Sequence, residues 1–396
     1  MTHTAEPIFW ACFGLLLYAY FGYPTLLFLL GEFRKDESSP EPEAKPTVSL
    51  VIAAYNEERV IGRKIENGLA SDYPDELLEI VVVSDASADG TDEIVEGYAC
   101  RGVRLLRQPR RMGKTAALNA GVAAARGEIV VFSDADAMYE PEALRMLVSR
   151  FADPHVGVVG GQLRYRLPEG GTAGSQEGLY QRYEQVVRRL ESRLNSLLGT
   201  SGAMYAIRRG LFDPMVTHRP IVDDLAIPLD ILLKGWWAVL EPRAVCSTTV
   251  VTSLGSEFRR KVRIMARAIT TVLRGLRRGL CPPRPLIVWQ LVSHKVLREI
   301  QAIFFVGMFI SGALLAVRGE LLYVVLFAGQ VLLYVAGLLG AAFPTLCRFK
   351  AFALASHISM IVLASIAALF TWAAGRTRAT WEPRGALAPV RREKNK

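Results

Sequence analysis

Hydrophobic and polar positions divide the chain into three regimes. Residues 8–30 form an almost uninterrupted apolar run, the length a helix needs to cross a bilayer. From Thr47 the apolar stretches shorten to residues 48–53, 80–83, 103–106 and 129–132, each followed by polar residues and a helical segment. That rhythm predicts an α/β domain whose strands, covered on both faces, form a mainly parallel sheet. Residues 300–317, 321–343 and 351–374 again read as runs of spanning length.

Between the domain and these last runs the pattern differs. Residues 257–280 set Arg259, Arg260, Lys261, Arg263, Arg267, Arg274, Arg277 and Arg278 among Phe258, Val262, Ile264, Met265, Ile269, Val272, Leu273 and Leu276. Such a basic amphipathic helix lies on a membrane surface. A shorter amphipathic segment, 286–298, follows Pro282 and Pro283. The expected organisation is a transmembrane helix at 1–33, a linker at 34–46 and a cytoplasmic domain at 47–255. Interfacial helices follow at 256–298, then about three transmembrane helices at 299–375 and a basic tail at 376–396.

Orientation follows from charge. Residues 1–7 carry no Lys or Arg and the first run is too long for a signal peptide, so it is expected to span rather than be cleaved. Arg34 and Lys35 just after it place the N-terminus outside and the domain in the cytoplasm, at the inner membrane if the cell is bacterial. One span before the domain and three after it would leave the Arg-rich tail outside. That opposes the same tendency unless one segment is re-entrant.

Composition sharpens the picture. The 396 residues are 51% hydrophobic, and the excess sits at the two ends, leaving a middle region long enough for one or two globular domains. The net charge of +9 could mark a nucleic-acid binder, but the cations gather beside the apolar spans and no aromatic-interleaved basic platform occurs. The membrane, not nucleic acid, is the expected partner. Five scattered cysteines without a C-x-x-C pair indicate neither a zinc site nor a disulfide framework.

The candidate chemistry lies at strand ends, where ligands of α/β sheets bind. Ile129-Val130-Val131-Phe132-Ser133-Asp134-Ala135-Asp136 ends in two carboxylates separated by a small residue. Such a pair can reach a divalent cation that already carries phosphate oxygens, although an acidic loop leading into a helix at Glu140-Pro141-Glu142 would read the same way. The run at 48–53 delivers Asn56 and Glu57, and the run at 80–83 delivers Asp85 and Asp89. Carboxylates at three adjacent strand ends must be paired, solvated or bridged by a cation. Gly113-Lys114-Thr115 opens the helix 116–125 and offers a cation where a helix start favours anions. It is not a P-loop, since Gln108 stands where the first glycine should be. Gly199-Thr200-Ser201-Gly202 permits close approach of a ligand or simply turns before a strand. Asp223 and Asp224 open a helix, where capping is the ordinary role. Trp236 and Trp237 read as packing at the start of a strand.

Together these stretches resemble the family 2 glycosyltransferases, in the membrane-embedded, processive-type branch of cellulose, chitin-oligosaccharide, hyaluronan and poly-N-acetylglucosamine synthases. Val51-Ile52-Ala53-Ala54-Tyr55-Asn56-Glu57 is similar to the family's opening strand, and Val83-Ser84-Asp85 with Asp89 to its second acidic turn. Gly113-Lys114-Thr115-Ala116-Ala117-Leu118-Asn119-Ala120-Gly121 is similar to its G-K-x-x-A-L-N-x-G run, and Asp134-Ala135-Asp136 to its D-x-D. The resemblance implies a GT-A-like fold and a nucleotide-sugar donor held by Ala54, Tyr55, Asn56, Glu57, Asp85, Lys114 and Asp134. It implies Mg²⁺ or Mn²⁺ on Asp134 and Asp136, and Asp224, beside Asp223, as the base where the family has T-E-D. Arg260 and Arg263 fall on its Q-x-x-R-W, which this chain alters: Arg260 replaces Gln and Ile264 replaces Trp. Arg263 can still hold a diphosphate, while the aromatic sugar platform is missing.

The implied activity is inverting, β-forming transfer of a sugar, from a UDP-sugar, to a growing glycan. The alternative is a non-processive enzyme acting on a membrane lipid such as a polyprenyl phosphate or a glycolipid. A transporter with a regulatory nucleotide domain fits less well, because the spans carry few ionisable residues apart from His357. A nucleotidyltransferase would need a Gly-rich entry loop that residues 53–58 lack.

Overall fold

The computed structural model describes residues 4–32, 45–166, 174–249 and 254–377. Arg34, Lys35, most of the expected linker and the tail from residue 378 lie outside them. The chain opens with α1 (Ala5–Leu17) and α2 (Tyr23–Gly31), continuous through a π turn at Tyr18–Gly22. The domain then runs β1 (Val48–Ala54), α3 (Ile61–Leu69), β2 (Leu78–Ser84), α4 (Thr91–Glu96), β3 (Val103–Arg107), α5 (Lys114–Ala124), β4 (Ile129–Asp134) and β5 (Met138–Tyr139). It continues with α6 (Ala143–Ser149), β6 (Val156–Arg166), α7 (Gly174–Arg193), β7 (Tyr205–Arg208), α8 (Asp223–Leu233) and β8 (Trp237–Thr249). After it come α9 (Leu254–Gly279), α10 (Pro285–Gln290), α11 (Leu297–Glu299), α12 (Gln301–Ala316), α13 (Leu321–Ala342) and α14 (Lys350–Ala373).

The apolar runs form buried strands because both faces of the sheet are covered. In β1, Leu50 and Ile52 point to one core with Ile61 and Ile65 of α3. Val51 and Ala53 point to the other, with Ala117, Leu118 and Val122 of α5. Each leucine, isoleucine and valine among them contributes on the order of 1.5–3 kcal/mol on burial, and the two-sided cover explains why the run does not alternate with polar residues.

The sheet is mixed and, as expected, mainly parallel: four of its seven strand pairings are parallel. Its strand order is β3-β2-β1-β4-β7-β6-β8-β5. The half β3-β2-β1-β4 is parallel. Strands β7, β6 and β5 join through antiparallel pairs, and β6 and β8 pair in parallel. The sequence marks where β7 and β8 begin, after residues 199–202 and at Trp236–Trp237, but not what they pair with. Their partners lie far along the chain, and such pairing is set by tertiary packing.

Among the described residues three helical stretches are long and apolar enough to cross a membrane: Ala5–Gly31, Leu321–Ala342 and Lys350–Ala373. The fourth expected span, 300–317, is instead α12, of 16 residues. It joins Pro285–Glu299 at a 58° bend, and only the two together reach spanning length. The N-terminal helix is bound to the domain by Tyr23 and Leu27, packed on Val187 and Leu190 of α7 and on Leu194 just past it. The Tyr23 hydroxyl donates to Glu191 at 2.6 Å, and His294 meets the same carboxylate at 2.7 Å.

Candidate active site

The acidic ends of β1 and β4 and the start of α8 converge on one cavity of about 280 Å³. Glu57, Lys114, Asp134, Asp136, Asp223, Asp224, Arg260 and Arg263, all singled out by the sequence, line it. Lys114 is the centre of the cluster. Its Nζ lies 2.8 Å from Asp134 Oδ1 and 3.2 Å from Asp223 Oδ2. Burial would lower its pKa, but Asp134 and Asp223 outweigh burial and hold it above the ordinary lysine value. Gly113, the residue before it, caps α5 with φ +93°, a conformation glycine adopts without strain.

Asp224 has a different environment. Its Oδ2 accepts the Gly202 N–H at 2.9 Å, and its carbonyl accepts the N–H and hydroxyl of Thr200 at 2.8 and 3.1 Å. Burial, and next the neighbouring Asp223 charge, push its carboxyl up to about 6, against the opposing pull of Lys114. A carboxylate of that basicity can take a proton near neutral pH. Asp136 accepts from the Thr248 hydroxyl at 2.6 Å.

The remaining candidates lie elsewhere. Asp85 is fully buried, and its carboxylate accepts the backbone N–H groups of Met112 at 2.6 Å and Gly113 at 2.9 Å. Burial pushes its pKa above the ordinary aspartate value while those donors oppose it. It therefore shapes the loop that delivers Lys114. Asn56 is likewise a clasp, accepting the Ala88 N–H on its side chain and donating its own N–H to Ser87. Ala54 accepts the Asp85 N–H at 2.9 Å, and the Tyr55 ring lies under the Arg111 guanidinium, 4.0 Å away. None of these four lines the cavity.

Several cavity residues were not among the sequence candidates. Glu184, Gln185 and Arg188 come from α7, and Arg267 from α9. A long helix with polar residues gave no sign of which turn faces the strand ends. Burial, then the neighbouring Arg263 charge, lower Arg267 to about 10, and both arginines line the cavity. Lys64 is fully buried behind the D-x-D turn, donating to the Ala137 carbonyl at 2.6 Å and lying 3.5 Å above the Tyr139 ring. Asn119 pins the loop before α8 by exchanging two hydrogen bonds with the Met215 backbone, at 2.8 and 3.0 Å.

The donor set fits a divalent ion. Among the described residues no three His, Cys, Asp or Glu side chains gather into a metal cage, so Asp134 and Asp136 would supply two carboxylates only. Mg²⁺-type ions are commonly held this way, the shell being completed by substrate phosphates and water. The space beside Asp134 is kept by Gly202, where a Cβ would fall 3.1 Å from Lys114 Nζ and 3.5 Å from both Asp134 carboxylate oxygens.

Comparison with known proteins agrees with this geometry. Residues 49–215 match the family model described as glycosyl transferase family 2. The chain carries a family 2 glycosyltransferase domain, as the resemblance implied. It is 40% identical, over an alignment of 119 positions, to a dolichyl-phosphate beta-glucosyltransferase of Trichomonas vaginalis, covering 25% of this chain and 35% of that protein. It is 25% identical over 224 positions to a poly-beta-1,6-N-acetyl-D-glucosamine synthase of Staphylococcus epidermidis, covering 54% of this chain and 53% of that one. The chain thus spans about a third to a half of the length of these relatives. In fold it is similar to a mannosyltransferase from Pyrobaculum calidifontis solved in complex with GDP-Man and Mn2+. That likeness has a TM-score of 0.73 at 24% identity and covers 93% of this chain and 99% of that one. The GT-A-like fold is shared along almost the whole length.

Proposed function

We propose that this chain is a membrane-bound, metal-assisted, inverting glycosyltransferase that moves a sugar from a nucleotide-sugar, a UDP-sugar by the processive-type resemblance, onto a hydroxyl of a growing glycan. One observation carries the reading: Asp224, raised to about 6, shares a cavity with Lys114 and the Asp134–Asp136 pair. A base and an electrostatic clamp for a departing diphosphate are what single-displacement sugar transfer requires. The names of the relatives, a beta-glucosyltransferase and a beta-1,6-linked polymer synthase, support the β product. The Mn2+ that accompanies GDP-Man in the similarly folded mannosyltransferase supports the metal.

In this mechanism the acceptor oxygen attacks the anomeric carbon while Asp224 takes its proton. The bond to the diphosphate breaks on the opposite face, its electron pair leaving with the nucleotide, and Lys114 and Arg263 offset the developing negative charge. A divalent ion held by Asp134 and Asp136 would neutralise part of the same charge. Glu57 and Arg260 close the donor side, and α9 holds the cavity at the bilayer, with the domain on the cytoplasmic side. If the bent pair Pro285–Glu299 and Gln301–Ala316 is re-entrant, three spans remain and the basic tail also lies in the cytoplasm.

A second reading, transfer to a lipid phosphate, is favoured by the adjacent Arg263 and Arg267 on the cavity wall and by Ile264 where the family has an aromatic platform. A phosphate nucleophile is already ionised and needs no base. Purified protein is offered UDP-, GDP- and dTDP-sugars with glycan and lipid acceptors, and products are weighed by mass spectrometry. An oligosaccharide ladder supports the first reading, a single glycolipid the second, and no nucleotide release with any donor overturns both.

A further inference from the structure

Helix α9 does two things along its length. Its first half lines the cavity with Arg260, Arg263, Ile264 and Arg267. Its second half grips α8, the helix that begins with Asp223 and Asp224. Thr271, one turn past Arg267 and only 1% exposed, accepts the backbone N–H of Val222 at 3.0 Å and donates its hydroxyl to the Arg267 carbonyl at 3.1 Å. Val222 occupies the N-cap of α8, where its apolar side chain can make no capping bond.

Further down the same face, Asp230 of α8 is held between Arg274, at 2.7 Å, and Arg278. Leu229 seats on Gly275, where any Cβ would collide with the leucine Cδ2. The two helices are therefore fixed in rotation and in translation, and the N-terminal grip falls one residue before the carboxylate pair. Helix α9 also packs along α14, a candidate span, so the carboxylates are referenced to the membrane side of the molecule as well as to the sheet.

We propose that Thr271 is a positioning residue for sugar transfer, fixing the first turn of α8, and with it Asp224, through the Val222 N–H. The inference rests on Asp224 acting as the base. Replacing Thr271 by valine preserves shape but takes the side-chain acceptor away from the half-buried Val222 N–H. The first turn of α8 then relaxes, and displacement of a reacting group by a fraction of an ångström lowers turnover without touching the donor clamp.

The test uses the full chain in lipid nanodiscs with the donor and acceptor that support wild-type turnover. Thr271→Val should lower kcat about tenfold or more while donor KM stays within about twofold, and Thr271→Ser, which keeps the hydroxyl, should restore kcat. Because both changes act on one step, Thr271→Val should add little in an Asp224→Asn background. Equal kcat in Thr271→Val and wild type, a rise in KM at constant kcat, or full additivity with Asp224→Asn would overturn the inference alone. A wild-type protein that turns over no nucleotide-sugar overturns the reaction reading and this inference with it.

Discussion

The N–H of Gly202 points at the Oδ2 of Asp224 across 2.9 Å, joining the small-residue turn before β7 to the carboxylate pair at the start of α8. The same glycine faces Lys114 and Asp134 on its other side. It is the point where the candidate base and the candidate donor clamp are held together. A side chain there presses first on the flexible end of Lys114. Gly202→Ala should therefore lower turnover modestly. Gly202→Val, which also crowds Asp134, should lower it by about 10², read in steady-state kinetics with the melting temperature as a control.

Asp224→Asn separates base from cap. Asparagine caps a helix nearly as well as aspartate, so a capping role predicts little change. Loss of a general base predicts a fall in turnover of about 10² to 10⁴ with donor affinity preserved. The measurement pairs nucleotide-sugar binding with turnover for Asp224→Asn and Asp223→Asn. A larger loss at 223, or retention of lipid-phosphate transfer in Asp224→Asn, would reassign the role.

The same residue sets the pH dependence. Its carboxyl titrates near 6 because burial and Asp223 disfavour the charged form, and only the charged form accepts a proton. Turnover should therefore rise with pH through about 6 and level off above it. That limb should be missing from the residual activity of Asp224→Asn. A wild-type profile flat from about pH 5 to about pH 7, on both sides of the raised carboxyl, would remove Asp224 from the rate-determining proton transfer.

Two carboxylates alone make a weak site for a hard divalent ion, and the donor diphosphate must complete it. Chelator should abolish nucleotide release, and Mg²⁺ or Mn²⁺ should restore it. Calorimetry should show tight Mn²⁺ binding only when the nucleoside diphosphate is present. Full activity in excess EDTA would rule out a metal on Asp134 and Asp136.

Topology is tested at both ends of the chain. A cysteine at position 2 should be labelled from outside intact cells, and a reporter fused after Lys396 should report the cytoplasm if the bent pair does not cross. Labelling at position 2 only after permeabilisation would reverse the orientation.

The sequence by itself determined the parallel half of the sheet, the acidic strand ends, the Lys114 turn, the D-x-D pair and the basic helix, because each is written within one contiguous stretch. A buried strand shows as an apolar run, and the residues just past it are the ones the sheet presents to a ligand. Only the tertiary structure decided what those residues meet. Asp85 reads as a ligand-facing acid by position, and the structure shows what else its buried carboxylate meets, the Met112 and Gly113 amides, since a buried carboxylate must find donors wherever the loop supplies them. Strand β6, the partners of β7 and β8, the 58° bend before α12, and the arrival of Glu184, Arg188 and Arg267 at the cavity are equally non-local. They depend on which distant segments pack together, and residue periodicity carries no record of a partner far along the chain.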